Sequence, residues 1–167
     1  MSEVLGEGRY LRLVRRDGWE FVERIGTDGV VAIVAVNAED ELVVVEQPRP
    51  AVGRTVFDLP AGLAGDVEGE DTLEAAAARE LEEETGYRAG RLQRIAAAPP
   101  SPGLSSEVVT FFRADQLERV GAGGGVDSER ITVHLVPVGG IDAWLAARAA
   151  DGALIDLKLY AGLHFIR

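Results

Sequence analysis

Cysteine is absent from the 167 residues, which excludes disulfides, thiol catalysis and thiolate metal sites. Histidine is scarce. His134 and His164 are the only two, both lie in apolar runs, and both read as structural residues. No Ser-His-Asp arrangement emerges, and no GxxxxGK stretch exists to make a P-loop. Positive charge is in deficit: 17 Lys and Arg face 28 Asp and Glu, a formal net charge of -11. Such a balance disfavours nucleic acid backbones and anionic membranes as partners. No apolar run approaches the roughly 18 residues of a membrane helix. The opening MSEVLGEGRY has no basic segment followed by an apolar stretch, so the expectation is a cytoplasmic protein.

Against these absences stands an ordinary globular composition, 47% apolar and 27% charged, in a chain that suits one core. YLRLVRRDGWEFVERI reads as a hairpin turning at Asp17-Gly18, where both residues tolerate positive φ. VVAIVAVN and LVVVEQ are β-prone runs separated by AEDE and predict a second hairpin. TVFDL reads as a short strand before PAG. The span from Thr72 to Thr85 predicts one helix, with Asp71 or Thr72 as N-cap and Gly86 as its stop. RLQRIAAA, EVVTFFRA and RITVHLVPV read as strands, GAGGG as a flexible loop, and IDAWLAARAA and DLKLYAGLHFI as helices. The mixture predicts an α+β chain, an α/β/α sandwich around a mixed β-sheet with an N-terminal antiparallel hairpin.

The helix ends in RELEEETG, which crowds Glu80, Glu82, Glu83 and Glu84 beside Arg79. At about 100° per residue, Glu83 lies about 60° to one side of Glu80 and Glu84 about 40° to the other. Three carboxylates thus share a face, while Glu82 points elsewhere. At a separation of about 4 Å and an effective dielectric of about 20, each pair repels by about 4 kcal/mol. A divalent cation removes that cost, and hard oxygen ligands at this density suit Mg²⁺, with Mn²⁺ as a substitute. The bland alternative is a solvated acidic face relieved by Arg79.

FDLPAGL followed by RELEEETGY resembles the Nudix hydrolase signature. Arg79, Glu80, Leu81, Glu83, Glu84, Gly86 and Tyr87 match its second half. Its first glycine and acid are matched either by Gly65 with Asp71 or by Gly62 with Glu70. GWEFVER, EQPRPAVG, LPAGL, SPGLS and DSERITVHLVPV extend the resemblance across most of the chain, to the ADP-ribose (ADP-sugar) pyrophosphatase branch.

That resemblance implies a metal site of Glu80, Glu83, Glu84 and the Ala61 carbonyl, with Gly62 letting the chain turn away. Catalytic roles fall to Glu129 as general base, to Glu83, and to Arg79 as an orienter of the glutamates. Asp127 is a second acid of the same loop. Substrate contacts fall to Trp19, which stacks on adenine, and to Gly103 and Leu104 at the sugar-diphosphate end. Arg49 is a candidate phosphate clamp because a guanidinium matches phosphate oxygens as a fork; Arg54 is a further one. The implied reaction is metal-dependent hydrolysis of a nucleoside diphosphate sugar, ADP-ribose to AMP and ribose 5-phosphate. A dinucleotide polyphosphate or an oxidised nucleotide is the alternative substrate, and a noncatalytic nucleotide sensor the alternative role. The implied organisation is an N-terminal hairpin segment over residues 1–28, exchanged within a homodimer, and a Nudix hydrolase domain over 29–167.

Overall fold

The computed structural model describes residues 2–65, 72–126 and 130–167. Three strands open the chain: β1 (Ser2–Glu7), β2 (Leu11–Arg16) and β3 (Trp19–Arg24), an antiparallel meander of its own. Asp17 and Gly18 turn β2 into β3 with positive φ at both positions. The hairpin is as the DG signal predicts, and β1 adds a strand that SEVLGE, with little β-branched character, does not announce. Cross-strand ion pairs lace this sheet, among them Arg12 to Glu23 at 2.7 Å.

β4 (Gly29–Ala35) and β5 (Glu41–Arg49) carry the apolar runs VVAIVA and LVVV, buried throughout. They form no hairpin with each other. A single bridge, Val36 to Leu42, joins them before they part into different sheets. β4 lies between β7 (Ala61–Ala64) and the parallel β9 (Val109–Arg119), whose other neighbour is β8 (Tyr87–Ala98). β5 lies between β10 (Thr132–Pro137) and β6 (Arg54–Asp58), and β6 carries the short parallel β11 (Leu154–Ile155). Runs apolar at nearly every position suit strands buried on both faces, and central places in two sheets give both strands that cover.

The alternation along β4 shows the layering. Val30, Ala32 and Val34 pack with Leu159 and Leu163 of α3 (Leu157–Leu163) and with Ile141 and Leu145 of α2 (Ile141–Ala150). Val31, Ile33 and Ala35 pack with Ala76, Ala77 and Leu81 of α1 (Leu73–Thr85). Helices thus cover the mixed sheets on both sides, an α/β/α sandwich. Leu81, Leu145 and Leu159 are almost wholly buried, each contributing about 1.5–3 kcal/mol of apolar burial.

Candidate active site

Helix α1 starts where Thr72 Oγ1 accepts from the Ala75 N–H at 3.0 Å. It stops at Gly86, which adopts the left-handed conformation and returns its N–H to the Glu82 carbonyl. Its buried stripe is Ala76, Ala77, Leu81, Glu84 and Thr85, residues at helical spacing. The sequence therefore drives one carboxylate of the acidic cluster into the wall of the fold, leaving Glu84 only 3% exposed. A buried carboxylate needs hydrogen-bond partners, and strand β7 supplies one.

β7 is the edge of its sheet. Its register pairs Ala32 with Ala61, and the Ile33 N–H bonds to the Pro60 carbonyl. Residues 61 and 63 are therefore the non-hydrogen-bonded positions of the ladder, and their N–H and C=O groups point away from β4. α1 lies along that edge. The Ala61 N–H donates to Glu84 Oε2 at 3.0 Å, and Arg79 Nη2 donates to the Leu63 carbonyl at 3.1 Å. The Ala61 carbonyl faces the same side. A β-carbon on Gly62 would overlap the Glu80 carboxylate, so glycine is what admits that side chain against the backbone.

Arg79 Nη1 donates to Glu80 Oε1 at 2.9 Å and to Glu83 Oε2 at 3.0 Å. Glu82 turns to the opposite face and pairs with Arg88. The GAGGG stretch, which reads as a mobile loop, caps the helix instead. Gly124 N–H donates to the Glu84 carbonyl at 2.8 Å and Gly125 N–H to that of Glu83 at 3.1 Å. A β-carbon on Gly123 would overlap the Thr85 backbone, so this close approach requires glycine. Glu70, Asp71, Asp127 and Glu129 lie outside the described residues.

Ala61, Gly62, Glu80 and Glu84 form one wall of a cleft of about 730 Å³. Arg49 lines it too, as do Arg24 and Glu107, joined at 2.5 Å. Glu83 stands outside this lining, beside Arg79. Trp19 and Gly103 border a different concavity, with Phe21 and Arg16. They are held there because loop 101–106 docks on β3: Val22 N–H donates to the Leu104 carbonyl at 2.9 Å, and Ser106 N–H to that of Val22. The Leu104 side chain and Trp19 are exposed, Trp19 at 65%. Arg54 faces a third hollow with Glu46 and Arg148. His134 packs against both Phe57 and Trp144, its Nε2 2.7 Å from Glu46 Oε2, outside the lining of the cleft.

Sequence reasoning does not find Asp156 and Lys158, which also line the cleft. Asp58 is fully buried, and Lys158 Nζ lies 2.8 Å from its Oδ2 and 2.9 Å from Asp156 Oδ1. Burial works against the charge on Lys158, but Asp58 and then Asp156 outweigh it and hold the ammonium above its ordinary pKa. A lone aspartate in the apolar run TVFDL is the signal that was there to be read.

Among the described residues, no three His, Asp or Glu side chains converge as a metal-binding group. Glu80, Glu84 and the Ala61 carbonyl nonetheless make an all-oxygen donor set on one wall, with room created by Gly62. That chemistry suits a hard divalent cation.

The NUDIX domain family matches residues 27–153, about three quarters of the chain. This protein belongs to the Nudix family. Nudix hydrolases generally depend on a divalent metal, in keeping with the donor set above. This Nudix chain is 39% identical over 169 residues to an ADP-ribose pyrophosphatase of Mycobacterium tuberculosis, covering 97% of the chain and 79% of that relative. It is 43% identical over 89 residues to an ADP-ribose pyrophosphatase of Bacillus subtilis, covering 53% of the chain and about half (46%) of the relative. The crystal structure of an ADP compounds hydrolase superposes with a TM-score of 0.68 at 19% identity, over 87% of this chain and 80% of that one, and so shares the Nudix fold.

Proposed function

We propose that this protein hydrolyses the diphosphate linkage of a nucleoside diphosphate sugar in the cytoplasm, with ADP-ribose as substrate and Mg²⁺, or Mn²⁺ in its place, as cofactor. The observation that carries this reading is the buried Glu84, tied to the Ala61 N–H beside a Glu80 that only Gly62 accommodates, on the wall of a cleft with Arg49 in it. The names of the Mycobacterium tuberculosis and Bacillus subtilis relatives support the choice of substrate.

Glu80, Glu84 and the Ala61 carbonyl would hold the divalent cation, which would supply positive charge to neutralise the phosphate oxygens and polarise the attacking water. Arg49, on the lining of the same cleft, binds and orients the diphosphate, and Arg79 holds Glu80 and Glu83 in place. Glu129 takes a proton from the water, a step contributing roughly 10²–10⁴ in rate. The water oxygen joins one phosphorus, the bridging P–O bond breaks, and the departing phosphate keeps the bridging oxygen. AMP and ribose 5-phosphate result.

Adenine recognition falls to Trp19, with Gly103 and Leu104 at the sugar-diphosphate end, and Arg54 a further candidate contact. Within one chain Trp19 stands apart from the carboxylate wall. The proposed homodimer resolves this, residues 1–28 of one copy completing the cleft in the domain 29–167 of the other.

A panel of ADP-ribose, other nucleotide sugars, dinucleotide polyphosphates and oxidised nucleotides, incubated with Mg²⁺ and resolved by chromatography, tests the proposal. ADP-ribose should be cleaved fastest, and Glu84→Gln should slow it by roughly 100-fold or more, the equivalent of a few kcal/mol. Faster cleavage of a compound without a sugar on the diphosphate would reassign the substrate. No cleavage of any member would favour a sensor.

A further inference from the structure

Arg49 and Lys158 both flank the buried Asp58, with Arg49 Nη2 4.0 Å and Lys158 Nζ 2.8 Å from its Oδ2. Both line the cleft that holds Glu80 and Glu84. Asp58 precedes Ala61 by three residues, at most about 11 Å of extended chain. Two cations and two of the α1 carboxylates thus border one cleft. An ammonium has three N–H donors. Asp58 and Asp156 hold it as ion partners at 2.8 and 2.9 Å, and Lys158 keeps 16% of its side-chain exposure while lining the cleft. Burying Asp58 to hold a lysine is expensive, and apolar side chains of similar volume would pack without that penalty. Two carboxylates fixing one ammonium do what a binding site needs: they lock the rotamer of a long, flexible side chain before the ligand arrives.

We propose that Lys158 is a substrate-binding residue, positioned by Asp58 and Asp156, whose ammonium donates to a phosphoryl oxygen of the diphosphate in the cleft that it shares with Glu80 and Glu84. This rests on the diphosphate substrate proposed above. Lys158 and Arg49 then act as a pair, the lysine as a fixed point charge and the arginine as a fork.

The test compares the unsubstituted protein with Lys158→Met, Lys158→Arg and the double variant D58N/K158M. The double variant matters because Lys158→Met alone strands a buried carboxylate and threatens folding. KM and kcat for ADP-ribose are measured, with Kd by calorimetry in the absence of metal and Tm as a check on folding. Loss of a charged hydrogen bond should raise KM and Kd in D58N/K158M by about tenfold or more, with a smaller change in kcat and partial rescue in Lys158→Arg. A folded double variant with unchanged KM and Kd would make Lys158 a mere counter-ion and overturn the inference. Independently of any substitution, the ammonium resonance of Lys158 should shift when ADP-ribose binds the unsubstituted protein; no shift on saturation would overturn the inference as well. If the unsubstituted protein neither bound nor cleaved ADP-ribose, the proposed function itself would fail first.

Discussion

Glu80 and Gly62 occupy one space: the carboxylate lies where any other residue at position 62 would put its β-carbon. Gly62→Ala must therefore displace Glu80 while leaving the apolar core intact. The Mg²⁺ concentration for half-maximal activity should rise about tenfold or more, with little change in Tm; a Mg²⁺ titration of the rate checks it. Lys158 makes a different prediction. Its folded pKa is raised, so its contribution to stability is complete below the unfolded value of about 10.5 and is lost as pH rises through the higher folded value. Urea unfolding should show the protein weakening in strongly alkaline buffer, and D58N/K158M should lack this component. The sequence announced the first of these residues and not the second. PAG and RELEEETG are local patterns with a known chemical logic. Asp58 and Lys158 meet only because α3 packs over β6, a pairing that no local spacing encodes.

Helix α1 is the element in which sequence and structure agree most closely. Alanine, leucine and glutamate propensity, a threonine cap and a terminal glycine all point the same way, and the fold respects them. The strands around it were less legible. VVAIVAVN and LVVVEQ are separated by a turn, and period alone makes that a hairpin. Asn37 does organise the turn, its Oδ1 accepting from the Glu39 and Glu41 N–H groups, yet burial on both faces sends the strands to separate sheets. GAGGG is hard to read for the opposite reason. Glycine usually signals freedom, but here two backbone segments meet, at Gly86 on one side and Gly121 and Gly123 on the other, and the glycines are what lets them touch. Gly123→Ala should cost about 2 kcal/mol or more, from a β-carbon forced against the Thr85 backbone at positive φ. Thermal unfolding measures this. An unchanged Tm would mean that the loop does not cap α1.

For the molecule as a whole, the N-terminal sheet is the unfinished part. β1 is exposed along its length, Val14 is the one buried apolar residue of β1 to β3, and Tyr10, Leu11, Leu13 and Trp19 present their side chains to solvent. Such a sheet asks for a partner. Light scattering should give twice the chain mass, and removal of residues 1–28 should give a monomer with KM for ADP-ribose raised at least tenfold. A full-length monomer with unimpaired turnover would end the exchange model. The central claim, however, concerns charge. The proposal is that the carboxylates at the end of α1 are tolerated on one wall because they grip a divalent cation. Titration of Mn²⁺ followed by electron paramagnetic resonance measures that directly, without substrate. The unsubstituted protein should remove free Mn²⁺ from solution saturably and Glu84→Gln should bind it at least tenfold more weakly; equal binding by the two would contradict the account.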